Sequence, residues 1–214
     1  MECSADSIRS LSKEEINGLP LLAYGGDVRL VSNAGALDDA LDLLREDSVL
    51  GFDTETRPSF RKGKSYPTTL MQIAGSRSVV LIQLGRTPFS ERLARLLSDP
   101  GVVKAGVAIR EDMRRLRALH DFEPAALVDL AEMAHDLRLR AQGLRTLAAD
   151  LMGGRISKAA QCSNWGKKEL TPQQIRYAAT DAWIGREIYL RLTALSHCGS
   201  KDAPMKALPA KSRN

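Results

Sequence analysis

Cysteine is scarce in this chain. Cys3, Cys162 and Cys198 are the only three in 214 residues, far apart and with no C-x-x-C pair. Such spacing excludes a disulfide framework and a zinc knuckle. No apolar run reaches about eighteen residues, and the N-terminus lacks the basic, apolar and small-residue order of a secretion signal. The expectation is a cytoplasmic protein without a membrane partner. No internal repeat is present, and His120, His135 and His197 lie at helix ends or in polar stretches that give them no role. One further absence is local: from Thr56 to Ser90 there is no acid, while Arg57, Arg61, Lys62, Lys64, Arg77 and Arg86 fall there.

What remains is the composition of an ordinary soluble domain, 27% charged and 43% apolar, long enough for one sizeable core. The formal charge is +5, from 31 basic and 26 acidic residues. Residues 199 to 214 supply four of the bases and one acid, so the excess elsewhere is small. The expected organisation is a lead-in segment over 1–23, one domain over 24–198 and a disordered basic tail over 199–214. Ser12 to Glu15 has the form of a capping box, and the short helix that it starts should stop at Gly18.

The most informative stretch is Val49 to Glu55, an apolar run that ends in Asp-Thr-Glu. As a strand it sends Asp53 and Glu55 to one face and Leu50, Phe52 and Thr54 to the other. Gly51 shares the acidic face, where a missing side chain admits a ligand or a neighbouring backbone. Paired carboxylates repel, and a hard divalent cation relieves them; a solvated or ion-paired strand end is the plainer alternative. Further strands are expected near Val28–Ser32, Thr69–Ala74, Val79–Ile82, Val102–Val107 and Leu127–Val128, the second and third of these joined as a hairpin. Helices are expected around Leu37–Leu44, Phe89–Leu97, Ile109–Leu119, Leu130–Leu139 and Leu144–Met152. The last helix should begin with Thr171 as cap and Pro172 in its first turn, and run to about Leu195. Strands in a run followed by alternation with helices indicate an α/β layered domain.

Two more features join the acidic strand. Tyr177 and Asp181 lie four apart, on one face of the last helix, and Asp112 stands near the start of an earlier one. Asp53-x-Glu55, Asp112 and Tyr177-x-x-x-Asp181, in that order, resemble the three motifs of the DEDDy 3′-5′ exonucleases, the family of ribonuclease D and the Werner-syndrome exonuclease domain. Gln161 to Trp165 followed by Leu170 to Trp183 is similar to the Werner-like third motif nearly throughout. The resemblance covers about Tyr24 to Leu195.

It implies a ribonuclease H-like α/β fold, with a central five-stranded mixed sheet flanked by helices on both faces. It also implies catalytic roles for Asp53, Glu55, Asp112, Tyr177 and Asp181. The four acids would bind two divalent cations, Mg²⁺ or Mn²⁺, without an organic cofactor, and the partner would be a nucleic acid with a free 3′ end. Oxygen ligands suit those hard cations, and no His or Cys among the five positions invites zinc. Glu111 beside Asp112 is the alternative ligand. Arg57, Lys62 and Lys64 are candidates for tracking phosphates, against a solvated loop as the alternative. Asn164 and Trp165 are candidates for the pocket of the terminal nucleotide, against a core role for the tryptophan.

Overall fold

In the computed structural model the described residues are 10–59 and 66–199. The first nine residues, Lys62 and Lys64 in the polar connection, and the predicted tail from residue 200 lie outside them. The elements in chain order are α1 (Lys13–Gly18), β1 (Asp27–Val31), α2 (Gly35–Asp42), β2 (Val49–Thr56), β3 (Thr68–Ala74), β4 (Ser78–Gln83) and α3 (Glu91–Ser98). There follow β5 (Val103–Gly106), α4 (Ile109–Arg117), β6 (Leu127–Asp129), α5 (Leu130–Asp136), α6 (Leu144–Met152) and α7 (Pro172–Gly199).

The strands form one mixed sheet in the order β1-β4-β3-β2-β5-β6. Strands β2, β3 and β4 make an antiparallel meander, while β1 joins β4, β5 joins β2 and β6 joins β5 in parallel. The sheet thus has six strands, not five. The sixth, β6, is three residues long and pairs at the edge. Every strand expected from the sequence is present.

Helices cover both faces, as amphipathic segments must in order to bury their apolar stripes. On one side Leu50 and Phe52 of β2 pack with Leu37 and Leu41 of α2, Leu93 and Leu97 of α3, and Ile109 and Met113 of α4. Each such fully buried side chain contributes about 1.5–3 kcal/mol through loss of apolar surface to water. On the other side α7 lies across the sheet, flanked by α5 and α6 through Ile184, Ile188, Leu130 and Leu147. Local signals set the helix starts. Ser12 and Glu15 form the capping box, Ser90 caps α3, and Thr171 Oγ1 accepts from Gln174 N at 3.2 Å ahead of Pro172. The lead-in segment is tied to the domain, because Leu22 N donates to Arg155 O at 2.9 Å and Arg155 Nε to Leu19 O at 3.0 Å. Among the described residues no helix is long and apolar enough to cross a membrane.

Candidate active site

Small residues determine where α7 lies. A Cβ at Gly51 would collide with the Ala182 carbonyl oxygen and the Arg186 amide nitrogen, so the helix backbone rests directly on β2. Ala178, Ala179 and Ala182 continue this close approach. The absent side chain at Gly51 therefore admits a neighbouring backbone, one of the two uses open from the sequence. Two residues further along the same face of β2 comes Asp53, then Glu55, and on the docked helix Asp181 comes to meet them.

One carboxylate oxygen from each of Asp53, Glu55 and Asp181 lies within 4.8 Å of the others. They line a cleft of about 620 Å³ together with Tyr177, one helical turn before Asp181. Asp181 is only 6% exposed, and its Oδ1 is buried with no hydrogen-bond partner among the described residues. Such a crowd of acids resists ionisation. Burial, then the charges of Asp181 and Asp112, push the Asp53 carboxyl well above the usual range. Glu55 is pushed up to about 9 by burial and by Asp53, Asp181 and Asp112. Burial raises Asp181 to about 7 against the opposing pull of Tyr177 and Arg145. The phenol of Tyr177 is raised by burial and by hydrogen bonding to Asp181. A converging all-oxygen donor set with an orphaned buried oxygen fits a hard divalent cation, whose charge would offset the repulsion.

Asp112 stands apart from this trio. Its Oδ1 accepts from Thr54 Oγ1 at 2.7 Å, across from the acidic face of β2, and burial raises its pKa to about 6. The turn before it is tight, with Ala108, the N-cap of α4, in the left-handed region at φ 56°. Glu111 is engaged elsewhere. Arg114 and Arg115 bind it at 2.7 and 3.0 Å and hold its pKa down at about 2, so of the two neighbours it is Asp112 that faces the sheet.

The candidates for substrate contact divide. Arg57 is exposed, 5.3 Å from the centre of the Tyr66 ring and beside Gly166. Asn164 turns back on its own loop, its Oδ1 accepting from Gly166 N at 3.1 Å. Trp165 is 2% exposed and packs 5.9 Å from the Tyr177 ring. It occupies the core position and braces Tyr177 rather than offering a face to a base. Lys62 and Lys64 lie outside the described residues. Four polar residues of the cleft were not candidates from the sequence: Thr54, Arg145, Thr146 and Gln161. Gln161 falls inside the third-motif run, whereas Arg145, near the start of α6, carries no local signal and reaches the cleft only through the fold.

The architecture is a ribonuclease H-like fold. The EXO domain of Nibbler from Aedes aegypti has the same fold with a TM-score of 0.73 at 23% identity, over 82% of this chain and 93% of that one. A family model described as 3′-5′ exonuclease matches residues 28–195. Ribonuclease D of Gluconacetobacter diazotrophicus is 33% identical over 181 residues, covering 82% of this chain and 45% of that protein. The bifunctional 3′-5′ exonuclease/ATP-dependent helicase WRN of Mus musculus is 29% identical over 216 residues, covering 96% of this chain but 15% of that protein. The chain belongs to the 3′-5′ exonuclease family. It spans less than half the length of these two curated relatives.

Proposed function

We propose that this chain is a metal-dependent exonuclease that shortens DNA from its 3′ end, hydrolysing one phosphodiester bond at a time and releasing nucleoside 5′-monophosphates. The convergence of Asp53, Glu55, Asp181 and Tyr177 in one cleft carries the reading. DNA is favoured by the Werner-like form of the third motif, with RNA as the competing substrate. The reaction belongs to the domain over 24–198, with 1–23 as its lead-in and 199–214 as a basic tail.

Asp53, Glu55 and Asp181 would hold one divalent cation, and Asp53 with Asp112 a second; Mg²⁺ and Mn²⁺ suit the oxygen donors. When bound, the pair supplies an activated water and neutralises charge on the attacking and leaving oxygens. Tyr177 keeps its proton at neutral pH, because its pKa is raised further above the ordinary value of about 10. It therefore orients the attacking water and does not deprotonate it. Thr54 fixes the aim of Asp112 through its 2.7 Å hydrogen bond. Arg145 brings a guanidinium to the cleft wall, anchored by donation from Nη2 to Ile156 O at 2.8 Å, and can receive a phosphate oxygen. Water adds to phosphorus, the bond to the preceding 3′ oxygen breaks, and that oxygen leaves with a proton.

The test is digestion of matched 3′- and 5′-labelled DNA and RNA strands with Mg²⁺, Mn²⁺ or EDTA, beside Asp53→Ala. Stepwise shortening from the 3′ end, absent in EDTA and in the variant, is expected. Binding without cleavage under any metal would instead indicate a nucleic-acid scaffold, and cleavage confined to dinucleotides an oligonucleotide scavenger.

A further inference from the structure

Two parts of the surface are rich in cations, and they differ in what those cations touch. On α4 each exposed arginine has an acid: Arg110 meets Glu132, Arg114 and Arg115 meet Glu111, and Arg117 meets Glu123. At the end of the sheet where β2 and β4 finish and β3 begins, Arg57, Arg86, Lys167 and Lys168 are all exposed, and among the described residues none of them meets a carboxylate. Paired surface charges present little net field to a polyanion, whereas unpaired ones are free to replace its counterions.

Three of these cations, Arg86, Lys167 and Lys168, border a defined hollow of about 300 Å³, lined also by Thr69, Gln83 and Trp165. Its wall is held in place. Gln83, buried at the end of β4, donates from Nε2 to the carbonyls of Lys167 and Lys168 at 3.2 and 3.4 Å, and Arg86 Nη1 donates to Lys168 O at 2.9 Å. These bonds occupy carbonyl oxygens that would repel phosphate and leave the lysine ammonium groups unengaged. The hollow lies beside the acidic cleft, with Trp165 on its wall packed against Tyr177 on the cleft's. Thr69 Oγ1 donates to the Glu55 carbonyl at 3.2 Å, and a single loop carries Gln161 on the cleft wall and Lys167 and Lys168 on the hollow.

We propose that this groove binds the sugar–phosphate backbone of the strand on the 5′ side of the last two nucleotides, while the acidic cleft takes the 3′ end. The inference rests on the exonuclease reading. It assigns to Arg86, Lys167 and Lys168 a binding role, with Arg57 close by, beside Gly166. A cluster of carboxylates repels an approaching phosphate chain, so grip on the strand has to come from cations nearby.

The test uses the double variant Lys167→Ala/Lys168→Ala, which removes both ammonium groups and leaves the pinned carbonyls in place. Binding of a fluorescent single strand is followed by anisotropy in EDTA over a range of salt. Hydrolysis of a dinucleotide and of a longer strand is followed with Mn²⁺. The slope of log affinity against log salt should fall by about 0.7 for each lost phosphate contact, and affinity by about tenfold. Dinucleotide hydrolysis should stay within about twofold of wild type, the Lys→Arg double variant should restore the slope, and Arg117→Ala should leave it unchanged. An unchanged slope in the alanine variant, or equal losses on dinucleotide and long strand, overturns the proposal. If the wild type cuts neither substrate, the exonuclease reading fails, and the binding slope in EDTA still decides the groove.

Discussion

Leu50 and Phe52 leave strand β2 on one side and Gly51, Asp53 and Glu55 on the other, and the two sides are built by opposite means. The first is filled with large aliphatic and aromatic side chains from α2, α3 and α4. The second brings a helix backbone down onto a glycine, so that three acids end within 4.8 Å of each other. One face gains stability by removing apolar surface from water, and the other gives some up by crowding charge. Because they share a strand, the apolar face can hold rigid what the acidic face would push apart.

Breaking the acidic face should have the largest effect. Asp53→Asn is expected to lower exonuclease kcat by about a thousandfold or more, the scale felt when a group that stabilises charge in the transition state is lost. Its thermal stability in EDTA should not fall, since a member of a repulsive set has been neutralised. Gly51→Val attacks the contact between the faces, because its Cβ meets main-chain atoms of α7. A loss of about 3 kcal/mol or more is expected, at the upper end for overpacking and visible as a lower denaturant midpoint. Leu50→Ala, on the apolar face, should cost about 2–5 kcal/mol while leaving kcat of the folded fraction unchanged.

A pH series sharpens the same contrast. The raised carboxyls hold protons in the folded state that the unfolded chain releases near its ordinary pKa of about 4. Their contribution is therefore fully present below about pH 4 and is lost as pH rises through about 6 for Asp112, 7 for Asp181 and 9 for Glu55. In EDTA, Tm should fall by several degrees between pH 5 and pH 9, at roughly 2–4 °C per kcal/mol. Mg²⁺ should flatten that decline by binding the folded, ionised cluster. The smallest effect belongs to Thr54→Val, which removes the donor to Asp112 at 2.7 Å. About 1 kcal/mol, or roughly fivefold in kcat, is expected.

Features coded by neighbours in the chain are legible in the sequence. The Ser12–Glu15 capping box, the β3–β4 hairpin and the Thr171–Pro172 start of α7 all appear where local chemistry puts them. Long-range features are not. Nothing in the run from Val103 to Gly106 says that it pairs beside β2, nor in Asp27 to Val31 that it pairs with β4. At the site, Asp53 and Glu55 are legible as sharing a face because strand periodicity is strict. The family resemblance favours Asp112 over Glu111, but local chemistry alone does not separate them, because adjacent residues at the start of a helix both look available until the sheet and the α4 arginines claim one each. Arg145 and Trp165 show the same limit from two sides, one reaching the cleft and the other entering the core by tertiary packing alone. The helix α7 runs on to Gly199 past the expected end near Leu195, with Ser196 Oγ donating to Thr193 O in the added turn.

The left-handed Ala108 has a bearing on how this protein tolerates change. An L-residue with a side chain pays about 1–2 kcal/mol in that conformation, which glycine adopts without strain. The turn that delivers Asp112 is thus held taut, and relaxing it lies one substitution away. Ala108→Gly would ease the strain while loosening the main chain that aims the carboxylate, so the gain in stability and the accuracy of the site pull in opposite directions at one alanine.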